Sequence, residues 1–103
     1  GGAATADGIL IPIDNPVPAA PPEFKATIDN FQFAPNPIDA ATGGKLTWTN
    51  KQAVEHTVVS DTGQFRSQVL GENETFSITL AAPGTYTYHC SIHPFMKGQV
   101  VVK

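Results

Sequence analysis

From Phe24 to the end of the chain, apolar side chains recur at every second position, and the runs end near Pro, Gly or Asn. Phe24, Ala26 and Ile28 open the pattern. Leu46 and Trp48 continue it, then Val54, His56 and Val58, then Phe76, Ile78 and Leu80, and finally Tyr86, Tyr88 and Cys90. A period of two places each set on one face of a strand, whereas a helix would need a period near 3.6. Asn36-Pro37 and Thr42-Gly43-Gly44 bracket a short strand around Ile38, Pro83-Gly84 makes a turn, and a last strand is expected from about Gln99 to Val102. Several such strands joined by turns predict an all-β fold, a sandwich of two sheets with facing apolar sides. There is no internal repeat and no convincing helix. Asp61 to Asn73 is the weakest stretch for strand and is expected to hold an irregular crossing or a short helix.

Residues 1–23 read differently. Gly1 to Gly8 are small and polar, and Pro12, Pro16, Pro18, Pro21 and Pro22 follow closely. Proline removes ladder donors and favours extended backbone. The expected organisation is therefore a Pro-rich arm or linker over 1–23 and one domain over 24–103. Ile9 to Ile13 are apolar enough to lie along that domain as an edge strand, and a spacer from a membrane anchor is an open alternative. With 103 residues and 41% hydrophobic content, one modest core is what the chain can build. The net charge of −3 offers no basic surface for nucleic acid and no cationic helix for an anionic membrane. No run is long and apolar enough to span a bilayer as a helix.

The chemistry concentrates in Tyr88-His89-Cys90-Ser91-Ile92-His93-Pro94-Phe95-Met96-Lys97-Gly98. Cys90, His93 and Met96 are each separated by two residues, at the end of one strand and in the turn after it. A thiolate, an imidazole and a thioether on one short loop can face a common centre, and His56 on another strand can supply a fourth group. Two imidazoles and a thiolate with a weak axial thioether are the donor set of blue copper. Structural zinc takes four strong ligands from Cys and His. A c-type haem needs two cysteines before a histidine, and iron–sulfur clusters need about four thiolates, while this chain has one cysteine. Copper survives the elimination. Each residue has a plainer reading by itself: Cys90 as a buried apolar group, Met96 as core filler, His56 as a satisfied core histidine. Their joint spacing is what favours the metal.

These residues resemble the cupredoxin family, in particular its amicyanin-like branch and then its plastocyanin-like branch. Four stretches carry the resemblance: Phe33-Ala34-Pro35 with the strand near Ile38; Gly44 to Asn50; Glu55-His56-Thr57-Val58; and Pro83 to Gly98. The short loop between His93 and Met96 is the amicyanin form. The resemblance implies an all-β, Greek-key, cupredoxin-like sandwich and one type 1 copper ion held by His56, Cys90, His93 and Met96. It also implies a carrier of single electrons that works outside the cytoplasm. One departure stands out: many members carry Asn after the first histidine, tying the two ligand-bearing segments together, and here Thr57 holds that place.

Four protein ligands leave no open position for substrate, so an enzyme is not expected. A copper chaperone or copper store is the alternative function. Redox partners are expected to dock transiently near His93, Pro94 and Phe95 on a monomer, with a membrane tether through the arm as a further possibility. His89 neighbours Cys90 but should face away from the metal. Tyr86 resembles a tyrosine corner, and Trp48 and Phe76 read as core.

Overall fold

The computed structural model describes residues 20–103 and the backbone of two short strands, Thr5–Ala6 (β1) and Ile9–Leu10 (β2), which pair antiparallel. Most of the expected arm therefore lies outside the described residues, including positions 11–13 of the suggested edge strand. Eight further strands follow: Glu23–Asp29 (β3), Gln32–Ala34 (β4), Ile38–Ala40 (β5), Lys45–Asn50 (β6), Val59–Ser60 (β7), Thr75–Thr79 (β8), Gly84–His89 (β9) and Lys97–Val102 (β10). They form two four-stranded sheets, ordered β4-β3-β6-β8 and β5-β10-β9-β7. β3 with β6 and β5 with β10 are parallel pairs, and the remaining neighbours in these two sheets are antiparallel. No helix occurs among the described residues. The architecture is the expected all-β sandwich.

Alternation explains why the sheets face each other. In β6, Leu46, Trp48 and Asn50 are buried while their neighbours are more exposed, and in β10 Gly98, Val100 and Val102 point inward. Register places Ala26 and Phe76 on either side of Trp48, so three apolar side chains share one face. Trp48 is fully buried and meets Tyr88 from the opposite sheet, ring centroids 5.4 Å apart. Burying such rings removes ~150–250 Å² each from water, worth about 4–6 kcal/mol at ~25 cal/mol/Å² as an upper bound. Their polar atoms satisfy each other, since Trp48 Nε1–H donates to Tyr88 Oη over 3.2 Å. Tyr88 lies across Gly98 on the neighbouring strand, where a Cβ would sit 2.4 Å from the Tyr88 ring carbon Cζ. Only glycine fits that approach. Tyr86 donates its hydroxyl to the carbonyl of Ala82 at 2.6 Å, the contact expected of a tyrosine corner.

The structure departs from the sequence reading in several places. Val54, His56 and Val58 do not share a strand: residues 51–58 bend, and regular pairing resumes only at β7. His56 is instead held by an isolated bridge to Leu70. The stretch from Asp61 to Asn73 is an irregular crossing, not a short helix. Beyond the bridge at Leu70 it is tied back by a second one between Val59 and Arg66. β4 and the two-residue turn before it were not signalled by alternation, and β10 begins at Lys97, two residues earlier than expected.

Candidate metal centre

Asn50, at the end of β6, explains why the chain bends before His56. Its side chain is buried, and its amide donates to the carbonyls of Val54 at 2.8 Å and Leu70 at 2.9 Å. The amide oxygen accepts the Gln52 backbone N–H at 2.9 Å. These bonds compete with strand extension and fold 50–54 into a compact bend. Both backbone groups of His56 then pair with Leu70, its N–H donating at 3.1 Å and its carbonyl accepting at 2.8 Å. His56 is 0% exposed. Its Nε2 lies 2.9 Å from Gln52 Oε1, which leaves Nδ1 facing Cys90.

Cys90 follows the last residue of β9 and is also 0% exposed. The loop after it doubles back on two backbone hydrogen bonds, Cys90 N–H to Met96 O at 3.1 Å and Met96 N–H to His93 O at 2.9 Å. That closure explains the three-residue spacing: it returns Met96 beneath Cys90, where both are buried in one core cluster. His93 is half-buried, at the outer edge of the loop.

His56 Nδ1 and His93 Nδ1 each lie 3.8 Å from Cys90 Sγ, and one donor atom from each of these three residues falls within 4.8 Å of the others. A neutral thiol has one proton and can serve one imidazole, not two. Metal bonds to imidazole nitrogen and thiolate sulfur run about 2.0–2.3 Å, so donors spread around one ion in a plane stand about 3.7 Å apart. The spacing fits that arrangement. Burial holds the His56 pKa below its ordinary value, and the like charge of His93 lowers it further, so its lone pair stays available. The Thr57 N–H reaches Cys90 Sγ at 3.4 Å and would stabilise a thiolate.

The sequence matches the family model of the cupredoxin-like domain over residues 8–102. The chain belongs to the cupredoxin family. Among curated relatives, amicyanin-alpha of Methylorubrum extorquens is 38% identical, covering 98% of this chain and 87% of that protein. Amicyanin of Paracoccus denitrificans is 32% identical over 97% of this chain and 82% of its own length. Plastocyanin of Physcomitrium patens is 36% identical over 68% of this chain and 49% of its own. A solved structure of the reduced Cu(I) form of an amicyanin variant superposes with a TM-score of 0.73 at 30% identity, covering 82% of this chain and 86% of that one.

Within this cupredoxin, Thr57 does tie the two segments. Its hydroxyl oxygen accepts the Ser91 backbone N–H at 2.8 Å, shares a hydrogen bond with the Ser91 hydroxyl at 2.8 Å, and lies 3.8 Å from Cys90 Sγ. His89 points away, as strand alternation requires, and its Nδ1 pairs with Asp61 at 2.5 Å. Sequence reasoning missed Asn50 and Gln52 as supports of the His56 bend, and it missed Phe31. Asn30 and Phe31 form a two-residue turn between β3 and β4 with φ of 51° and 56°. The Phe31 ring packs edge-on against both imidazoles, with centroids 5.5 Å from His56 and 5.2 Å from His93. Nothing local marks that contact, which spans about 25 residues to one ring and about 60 to the other. The large apolar side chains exposed among the described residues are Phe31, Val69, Ile92 and Phe95. Each belongs to a segment that carries, bridges or covers one of the clustered histidines.

Proposed function

We propose that this cupredoxin carries single electrons between redox proteins, using one type 1 copper ion held by His56, Cys90, His93 and Met96. The observation that carries this reading is one buried thiol faced at equal distance by two imidazole nitrogens. Copper bound there supplies a one-electron change between Cu(I) and Cu(II). The chain's residues supply rigidity. His56 is fixed by paired backbone bonds to Leu70, and the Cys90–Met96 loop is closed by two more, so little moves when the charge at the site changes. With a thioether as fourth donor no position is left open for substrate, which suits a carrier and not an enzyme.

His93 is the half-exposed member of the cluster, and Pro94 and Phe95 beside it are exposed, Phe95 by 70%. Electrons leave and enter through this edge, and partners dock there briefly on an apolar patch. The low charge count and net charge of −3 fit protein partners and not nucleic acid. The working form is a monomer outside the cytoplasm, in a periplasm or at the outer face of a membrane, the setting implied by the family resemblance. Residues 1–23 serve as an arm ahead of the domain at 24–103 and are the place for any membrane tether. No helix among the described residues is long and apolar enough to cross a membrane.

The competing function is a copper chaperone or store, which must release its metal. The complete burial of Cys90 and His56 opposes ready exchange. The two readings separate on adding a Cu(I) chelator to the copper-loaded protein alongside a redox titration. A carrier shows a reversible one-electron transition and loses metal slowly. Rapid, complete transfer of copper to the chelator with no reversible transition would select the chaperone.

A further inference from the structure

Two donors from different parts of the chain converge on one atom beside the cluster. Gln52 Oε1 accepts the backbone N–H of Phe31 at 3.0 Å and lies 2.9 Å from His56 Nε2. The Phe31 N–H is a donor without alternative roles, so it decides which end of the Gln52 amide faces inward. Turning the amide over would set NH₂ against N–H. With oxygen fixed there, His56 must bring the proton on Nε2. A neutral imidazole has only one, so Nδ1, the nitrogen 3.8 Å from Cys90 Sγ, carries a bare lone pair. Gln52 is itself anchored, because its backbone N–H is held by the buried side chain of Asn50.

The same oxygen governs a second feature. Phe31 has a φ of 56°, uncommon for a bulky residue and costly unless the surroundings hold it. The bond to Gln52 provides that restraint at the residue whose ring lies edge-on over both imidazoles. The geometry points to Gln52 as a positioning residue for the copper site, one carbonyl oxygen that sets the His56 tautomer and pins the Phe31 turn over the histidine pair. This rests on the copper reading above, but the tautomer belongs to the protein alone and is measurable without metal.

The experiment uses nitrogen-15 NMR of the histidine rings in the full copper-free chain at neutral pH, followed by copper affinity and redox titration. In the native protein His56 is expected in one tautomer, protonated on Nε2. Gln52→Leu should populate the Nδ1–H form of His56, shift the His93 ring signals as the Phe31 ring is released without changing the His93 tautomer, and weaken copper binding by about 10–100-fold. Gln52→Glu keeps an acceptor in place, so it should retain the native tautomer and native-like affinity. Its negative charge should favour Cu(II) over Cu(I) by roughly tenfold, a fall of about 59 mV in potential. A Gln52→Leu protein that keeps Nε2–H and native affinity would overturn the proposal. Should Gln52→Leu fail to fold, Gln52→Glu decides alone: a lowered potential with the tautomer kept supports it, and an unchanged potential overturns it. If the native chain binds no copper, the carrier reading fails while the ring signals still judge Gln52.

Discussion

His56 is wholly shielded from solvent and bonded on its outer side to Gln52, whereas His93 is half-exposed and edged by Phe31 and Phe95. The first comes from a bend stitched by Asn50 and bridged to Leu70, the second from a loop closed on itself by two backbone bonds. Among the described residues His93 has no hydrogen bond corresponding to the one from Gln52. Two imidazoles face one sulfur at the same distance, yet one is built into the core and the other is turned toward whatever approaches. That asymmetry is what a one-electron carrier needs: a fixed inner side that limits rearrangement, and an outer side where a partner comes within reach.

The inner side can be weakened through the core beneath it. Burial raises the Tyr88 pKa from its ordinary value to about 12, partly offset by the Trp48 hydrogen bond. A tyrosine raised in this way stabilises the fold while the unfolded chain is still protonated. Stability is full below pH 10 and falls between pH 10 and 12, as the unfolded chain ionises and the folded one does not. The loss from this group approaches about 3 kcal/mol. Tyr88→Phe should abolish that share of the alkaline decline in denaturant-melt stability. At neutral pH it should cost about 1–3 kcal/mol, because the buried Trp48 N–H loses its acceptor. An unchanged alkaline limb in the variant would contradict this.

The outer side is probed at Phe95. Replacement by Asp or by Lys should slow reduction by a protein partner roughly tenfold, the effect of losing an exposed aromatic anchor worth about 1–2 kcal/mol. The visible spectrum should not change, since Phe95 contacts the His93 ring from outside. Equal rates for both variants and the native protein would move the docking face elsewhere.

The smallest effect is expected at the exposed Asp61, which pairs with His89. Its hydrogen bond from His89 holds its carboxyl pKa below the usual value, with Thr87 adding to the same direction. A depressed carboxyl contributes stability above its unfolded pKa and loses it as pH falls through the folded value. Asp61 and His89 side chains are 41% and 31% exposed, so solvent reduces the contribution to well under about 1 kcal/mol. Asp61→Asn should flatten the acid limb of a stability profile only slightly and leave the copper site's spectrum intact.

The same division governs what could be read from residues alone. Where a strand buries one face, alternation is obligatory, and β3, β6, β8 and β9 follow the pattern of Phe24, Leu46, Phe76 and Tyr86. The grouping of Cys90, His93 and Met96 was legible because a loop of that length has few ways to close. The bend at 51–58 was not. Val54, His56 and Val58 alternate as a strand would, but the buried Asn50 amide captures Val54 and Leu70 and overrides the pattern. Phe31 was beyond reach for another reason. Its place over the histidines depends on a left-handed turn that a phenylalanine rarely adopts, held by Gln52 from another segment.

The most direct measurement is the visible absorption of the metal-free protein titrated with Cu(II). One equivalent should produce an intense thiolate-to-copper band that saturates at a single ion per chain and bleaches reversibly on one-electron reduction. A protein that stays colourless, or binds less than one equivalent, would show that Cys90 and its two flanking imidazoles do not share a copper ion.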